Sequence, residues 1–281
     1  MHEFCEDYEG MFENIVASAY TYVAASKVKS LVIGMSGGID STITAAIARE
    51  VIDRLNTGIT LDGNIIDIES DPSEMERARR AAAAFCDCDY YCVSDFNDPY
   101  KVVASNIMKS DYKRLVRRGN IKARLRMIKL YDLANEMDGL VLSTDNYTEY
   151  LLGFWTLHGD VGDFGMIQNL WKTEVYGMAE YLAGKLNKEG KHSQADSLTE
   201  CIDAMPTDGL GVTNSDFDQI YPGYNENLSA KEAYQEVDGI LVGYLNHSDV
   251  EAYGKDVINR HKATKFKRNN PFNIPREYIT K

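Results

Sequence analysis

The sequence of 281 residues has no long apolar run and little positive charge. No stretch approaches the roughly 18 consecutive apolar residues of a membrane-crossing helix, and the acidic start MHEFCEDYEG does not resemble a signal peptide. There are 30 Lys and Arg against 43 Asp and Glu, a net charge of −13, which disfavours nucleic acid as a partner. We therefore expect a cytoplasmic globular protein without membrane or nucleic-acid partners.

Cysteines are also few, and they do not form a metal-binding pattern. The five stand at positions 5, 86, 88, 92 and 201, and the group at 86–92 lacks the paired C-x2-C spacing of a zinc site. Small buried thiols are common at the junction of a helix and a strand, and reduced cysteines fit a cytosolic compartment. A structural role is therefore favoured over a zinc site.

Short apolar runs alternate with helical segments over the first half of the chain. Strands are predicted at 31–35, 64–68, 89–93 and 139–143, and helices at 39–55, 71–86, 97–117 and 120–136. This alternation predicts right-handed βαβ units, and hence an α/β fold with a doubly wound parallel sheet.

The second half of the sequence is predominantly helical. Helices are predicted at 173–189, 194–203, 229–245 and 248–261, with a long loop at 205–227 and an extended basic tail at 260–281. We expect one domain over 1–281, with an α/β core at 27–185 and a helical C-terminal part at 186–281.

A glycine-rich turn, SGGIDS at 36–41, directly follows the first predicted strand and opens a helix. Free backbone N–H groups at a helix start bind anions, and glycines let phosphate oxygens approach. Ser36 and Ser41 can donate hydrogen bonds, and Asp40 can hold the accompanying Mg²⁺. A capped turn without a ligand is the alternative, but this pattern is more restrictive than a lone GxGxxG. The lysine of a Walker A loop is absent.

A second polar segment, STDNYTE at 143–149, also follows a predicted strand and opens a helix. Alone, it is equally typical of an ordinary capped helix start. Because the carboxyl ends of parallel strands share one edge of the sheet, Asp40 and Glu149 are expected to face the same crevice. Two carboxylates beside a phosphate-binding turn predict a Mg²⁺ site.

A third segment, at 109–129, has nine Lys and Arg and only Asp111 as an acid. Asn120 and Arg124 are four residues apart, on one helix face, and suit a phosphate-bearing ligand with hydroxyl groups. A solvated basic helix face is the alternative.

Taken in order, SGGIDS, GNIKARLRM, STDNYTEYLLGFWTLHGDVGD, PTDGL and RHK resemble the ammonia-dependent NAD synthetases of the PP-loop ATP pyrophosphatase group. The resemblance runs from about residue 12 to about residue 265. It implies amidation of nicotinic acid adenine dinucleotide (deamido-NAD) to NAD, through an acyl adenylate, with release of AMP and pyrophosphate. ATP would be a co-substrate and Mg²⁺ a cofactor.

The resemblance also implies a set of site residues. Asp40 and Lys172 would be catalytic, and Asp40 and Glu149 would bind Mg²⁺. The ATP-binding positions would be Gly34, Met35, Ser36, Gly37, Gly38, Ile39, Asp40, Ser41, Thr144, Lys172 and Thr207. The positions that bind deamido-NAD would be Asn120, Arg124, Asp163, His261 and Lys262.

The sequence departs from the family at Leu157, where the family usually has a lysine of the dinucleotide site. Two alternatives stay open. One is another PP-loop ATP pyrophosphatase, of the amidation or the tRNA-modification and sulfur-transfer type, although the net charge of −13 disfavours a tRNA partner. The other is a catalytically silent nucleotide-binding homologue, which Leu157 keeps open.

Two expectations concern partners and motion. We expect a homodimer, as in the family, with apolar residues of 11–25 and 121–134 in its interface, and either free ammonia or a separate glutaminase as the nitrogen source. We also expect 205–227 and the basic segment 260–268 to form a lid over the phosphates, although a solvated tail is an equal alternative.

Overall fold

A parallel sheet of five strands forms the centre of the fold. The computed structural model describes residues 3–87, 92–107, 111–159, 162–207 and 209–279. Its strands are β1 (Ser30–Gly34), β2 (Thr60–Asp67), β3 (Cys92–Asp95), β4 (Gly139–Ser143) and β5 (Phe164–Gly165). They are arranged in the order β3-β2-β1-β4-β5. The strand order reverses between β1 and β4, and ligands of such sheets bind at this crevice.

Helices cover the sheet and build the C-terminal part. Up to β5 they are α1 (Tyr8–Ser26), α2 (Ile39–Leu55), α3 (Pro72–Phe85), α4 (Asn97–Ala104), α5 (Tyr112–Glu136) and α6 (Tyr147–Leu152). After β5 they are α7 (Lys172–Lys188), α8 (His192–Asp203), α9 (Phe217–Ile220), α10 (Ala230–Leu245), α11 (Glu251–Ala263), α12 (Lys265–Arg268) and α13 (Arg276–Ile279). No helix in the described ranges combines the length and apolar character needed to cross a bilayer.

Both faces of the sheet are apolar, which confirms the doubly wound α/β fold. Leu31 and Ile33 of β1 point into the main core, with apolar side chains of α1, α2, α7, α8 and α10. Val32, between them, packs on the opposite face with Ala134 of α5 and Val141 of β4. Alternation along β1 thus places helices on both faces.

The helices at 39–55 and 71–86 and the strand at 139–143 lie close to their predicted bounds. Of the strand predicted at 89–93, residues 89–91 fall outside the described part of the chain.

The predicted break near 118–120 is wrong, because α5 runs through it from Tyr112 to Glu136. Gly119 is buried in that helix, where an added Cβ would lie 3.1 Å from Leu210 and Val212. Close packing, rather than a chain break, explains this glycine.

Three other expectations need correction. The tail 260–281 is not simply extended, because α11 ends at Ala263 and α12 and α13 follow it. The loop 205–227 contains α9. The apolar side chains at 12, 16, 19 and 23 of α1 are buried in the chain's own core, so they are not free to form a dimer interface.

Candidate active site

The turn between β1 and α2 carries the predicted phosphate-binding motif and lies at the sheet's switch point. Gly38 caps α2 in an extended conformation, and its N–H donates to Ser36 Oγ over 3.2 Å. The Ser36 and Ser41 hydroxyl oxygens lie 3.0 Å apart, and Ser41 Oγ also donates to Gly38 O over 3.1 Å. Both hydroxyls are therefore held at the start of α2, where backbone N–H groups favour an anion.

Gly37 fits this turn for two reasons. Its φ of +79° lies in the left-handed region, which favours glycine. An added Cβ would also lie 2.4 Å from Glu74 O of α3. Any larger residue would push the turn away from α3, so the backbone path of the turn depends on this glycine.

Lys172 lies between the two predicted metal-binding carboxylates. Its Nζ contacts Asp40 Oδ2 and lies 3.3 Å from Glu149 Oε1. The lysine residue is only 2% exposed. Asn146 completes the cluster, because its Nδ2 donates to Asp40 Oδ1 over 3.0 Å and its Oδ1 accepts from Glu149 N over 3.0 Å. Asn146 thus caps α6 and orients Asp40 at the same time.

The electrostatics of this cluster are strongly coupled. Burial raises the pKa of Glu149 well above its usual range, Lys172 opposes that shift, and Asp40 adds to it. Burial acts to lower the pKa of Lys172, but Asp40 and Glu149 outweigh it and hold that pKa well above the ordinary value. Lys172 therefore stays protonated, and its charge compensates the two carboxylates.

The donor chemistry of the cluster fits Mg²⁺. Hard cations take carboxylate oxygens, and Mg²⁺ is usually held by one or two carboxylates with phosphates and waters. Asp40 and Glu149 both reach the position of the Lys172 ammonium, so they already converge on a positive charge. Within the described ranges, no group of three or more His, Cys, Asp or Glu side chains suits a metal ion. Two carboxylates completed by phosphate oxygens are the arrangement that these residues allow.

A cavity of about 430 Å³ joins these groups into one site. Its walls include most of the predicted ATP-binding positions and one predicted dinucleotide position; these are Gly34, Met35, Ser36, Gly38, Ile39, Asp40, Ser41, Thr144, Lys172 and Thr207, with Asn120. Glu149 also lines it. The side chains of Met35 and Ile39 are buried in the core, so at these two positions a nucleotide would meet main-chain atoms.

Four predicted dinucleotide positions lie outside the cavity walls. Arg124 is exposed and donates to Leu157 O over 3.0 and 3.2 Å. Asp163 accepts from Val141 N over 2.9 Å and from Tyr131 Oη over 3.1 Å. His261 Nδ1 lies 2.9 Å from Leu151 O, and Lys262 lies over the Tyr244 ring. This single chain does not bring them to the nucleotide cavity.

Four cations of the cavity walls were not assigned to the site from the sequence: Arg77, Arg126, Arg260 and Lys267. The last two belong to the basic segment at 260–268. Arg260 donates to Leu152 O and Gln219 O over 3.1 Å each. Lys267 donates to Gly153 O over 2.7 Å and lies 5.4 Å from the centre of the Trp155 ring. The run of positive charges at 260–268 indicated a binding segment, but only the fold shows which of its residues face the cavity.

The parallel α/β sheet, with a glycine-rich phosphate turn and a carboxylate–lysine cluster at its switch point, defines a nucleotide-binding enzyme of the PP-loop type. The sequence matches the NAD synthase family over residues 11–271. The chain belongs to that family.

Individual relatives agree with this assignment. An NH3-dependent NAD⁺ synthetase of Methanopyrus kandleri is 32% identical over 257 residues, which cover 84% of this chain and 80% of the relative. Among solved structures, an NMN synthetase from Francisella tularensis has a TM-score of 0.73 at 23% identity and covers 97% of this chain and 99% of its own. An NH3-dependent NAD synthetase from Campylobacter jejuni has a TM-score of 0.68 at 22% identity, with coverage of 96% and 100%. These two structures share the fold of this protein.

Proposed function

We propose that this protein is an ammonia-dependent NAD synthetase, which amidates deamido-NAD to NAD at the expense of ATP. The family assignment gives the reaction class. The observation that carries the proposal is the Lys172 ammonium between Asp40 and Glu149, beside the phosphate-binding turn. Such a cluster suits a reaction in which one anion must attack another.

The reaction has two steps. An oxygen of the nicotinate carboxylate attacks the α-phosphorus of ATP. A new bond forms between this oxygen and phosphorus, and the bond between the α-phosphorus and pyrophosphate breaks. The nitrogen of ammonia then attacks the carbonyl carbon of this acyl adenylate, AMP leaves with the bridging oxygen, and the nitrogen loses a proton. The products are NAD, AMP and pyrophosphate, and no residue of the protein forms a covalent bond.

The chain's own residues hold charge and position. Ser36, Ser41 and the N–H groups at the start of α2 bind phosphate oxygens. Lys172 neutralises charge that builds up on the phosphates during attack. Asp40 and Glu149 would hold Mg²⁺, which supplies additional charge stabilisation at the phosphates when bound.

Two cations of the cavity wall suit the acidic substrate. Arg260 and Lys267 line the cavity, and both bind backbone carbonyls. Such cations can attract the nicotinate carboxylate or a substrate phosphate. We assign Lys267, rather than Lys262, to substrate binding, because Lys262 is exposed over Tyr244.

A second candidate substrate is nicotinic acid mononucleotide, the precursor that an NMN synthetase would amidate. The observation that favours it is Leu157, which places an apolar side chain where a lysine of the dinucleotide site would stand in the family. The two substrates differ by the AMP half of the dinucleotide, so direct comparison of their kcat/KM values separates them.

The proposed function is tested by exchange of labelled pyrophosphate into ATP. We expect exchange only when deamido-NAD is present, and formation of NAD and AMP in equal amounts once ammonia is added. If the mononucleotide supports exchange and deamido-NAD does not, the second candidate is favoured. The proposal is contradicted if no exchange occurs with either nicotinate compound, or if exchange occurs when both are absent. A paired test compares Lys267→Gln with Lys262→Gln, and only the first should raise the KM of the acidic nucleotide, by about tenfold.

We further propose a cytoplasmic homodimer that takes free ammonia or ammonia from a separate glutaminase. Tyr20 and Tyr22 of α1 and Ile128 of α5 are exposed large side chains, as a dimer interface requires. Sedimentation at micromolar concentration should give twice the chain mass of 31.6 kDa.

A further inference from the structure

Asp238 of α10 is a buried carboxylate that belongs neither to the cavity wall nor to the predicted site. It is fully buried. One of its oxygens, Oδ1, accepts from Thr148 Oγ1 over 2.5 Å. The other, Oδ2, accepts from Thr173 N over 2.8 Å and from Thr173 Oγ1 over 2.7 Å. One carboxylate therefore binds two separate helices.

Both threonines are direct sequence neighbours of site residues. Thr148 precedes Glu149 in the first turn of α6, and Thr173 follows Lys172 in the first turn of α7. Thr148 Oγ1 also accepts from Lys172 N over 2.8 Å. The network around Asp238 thus fixes the starts of α6 and α7 against each other, directly behind the two charged side chains of the cluster.

The location of the carboxylate has a physical reason and a cost. The first N–H groups of a helix have no partner inside the helix, and its positive end favours an anion. An apolar residue could fill the same volume without the penalty of burying a charge. A buried carboxylate instead gives directional bonds, which restrict the orientation of both helix starts.

We propose that Asp238 is a positioning residue for the amidation reaction: it holds Glu149 and Lys172 at the separation that their proposed roles require. The inference rests on the proposed function. Asp238 acts through the two threonines and does not touch substrate. Since the phosphate-binding turn lies on a different segment, loss of Asp238 affects the reacting cluster more than the binding of ATP.

The test is Asp238→Asn, which keeps the shape of the side chain but replaces one acceptor oxygen with a donor. We expect kcat to fall by about tenfold or more while the KM for ATP changes by less than about threefold. A kcat within about twofold of the wild-type value would overturn the proposal.

Asp62→Asn is the matched control. Asp62 is also a buried carboxylate, at 3% exposure. It accepts from the Ser30 and Thr60 hydroxyls but does not line the cavity. This variant should keep its kcat even if its melting temperature falls. If Asp62→Asn loses as much kcat as Asp238→Asn, the effect is one of general stability and the proposal is wrong.

A milder variant covers the case in which Asp238→Asn does not fold. Thr173→Val removes one hydroxyl donor and keeps the backbone N–H. We therefore expect kcat to fall by about threefold at an unchanged KM for ATP. An unaltered kcat would overturn the proposal.

The wild type is assayed in parallel. A wild type that forms no NAD refutes the proposed function, whereas an active wild type with an equally active variant refutes only the role of Asp238.

Discussion

Replacing Lys172 with methionine should destabilise the protein and create a stronger site for a divalent cation. The lysine is 2% exposed, contacts Asp40 and lies 3.3 Å from Glu149 Oε1. Methionine has similar length but carries no charge. The two carboxylates would then face each other across a buried position without a compensating cation.

The magnitude of the destabilisation follows from this geometry. At an effective dielectric constant of about 20, opposite unit charges at the Lys172–Glu149 distance attract by about 5 kcal/mol. Part of that attraction is offset by the cost of burying the lysine, and removal of one partner from a buried ion pair typically costs about 3–5 kcal/mol. We therefore expect the melting temperature of Lys172→Met to fall by roughly 5–9 °C.

Added Mg²⁺ should restore much of this loss in the variant. At a concentration about 100 times its Kd, a ligand that binds only the folded state stabilises it by about 2.7 kcal/mol. In the wild type without ATP, the ammonium of Lys172 lies where the cation would bind, so Mg²⁺ should stabilise it far less. The assay is thermal unfolding with and without Mg²⁺, with both proteins measured at the same pH.

Lys188→Met is the control, since Lys188 lies exposed in the last turn of the same helix. Its unfolding free energy should stay within about 0.5 kcal/mol of the wild type. Two results would refute the reasoning. If Lys172→Met unfolds at the wild-type temperature, the buried ion pair does not contribute as described. If Mg²⁺ stabilises both proteins equally, Asp40 and Glu149 do not form the cation site.

Three further predictions follow. Asp40→Asn should reduce AMP formation by at least about 100-fold with an unchanged circular dichroism spectrum, and near-normal turnover would exclude Asp40 from the site. Burial raises the pKa of Asp238 from 3.8 to about 6, so the folded state binds the proton of this carboxyl more tightly than the unfolded state does. The stability of the wild type relative to Asp238→Asn should therefore fall by up to about 3 kcal/mol as the pH rises from about 4 to about 6. A pH-independent difference in unfolding free energy would contradict this assignment. ATP with deamido-NAD should slow hydrogen exchange in 205–227 and 260–268, and equal exchange rates with and without ligands would argue against a lid.

The fold was largely predictable because its signals are local. Strands β1 and β4 are short apolar runs, as in LVIGM at 31–35, and helices α2 and α3 begin after a small or capping residue, Gly38 and Asp71. Strand β2 was predicted only from Asn64 onward, because its first half carries Asp62 and Gly63. Parallel pairing then follows from the alternation of strands and helices. The position of the glycine-rich turn after β1 was equally accessible, since its glycines and hydroxyls are contiguous in the sequence.

Residues that act through long-range contacts were not accessible in this way. Asp238 lies 90 residues from Thr148 and 65 from Thr173, and nothing in the local sequence marks its role. The basic segment shows the same limitation, because His261 and Lys262 look like binding residues whereas Arg260 and Lys267 line the cavity. Helical phase and the turn between α11 and α12 decide this, and neither is visible in a run of charges.

The partners of the basic segment also explain how one short helix organises the site. Like charges at 260–268 repel each other unless negative groups lie among them, and the structure places the last carbonyls of α6 there. Arg268 donates to Leu151 O, Arg260 to Leu152 O and Lys267 to Gly153 O. These carbonyls form the negative end of the helix, while Glu149 lies in its first turn. The α6 helix has only six residues, with Glu149 in its first turn and the carbonyls that accept from Arg260, Lys267 and Arg268 at its other end. Because Glu149, Arg260 and Lys267 all line the cavity, this helix relates the position of the carboxylate to that of the two cations.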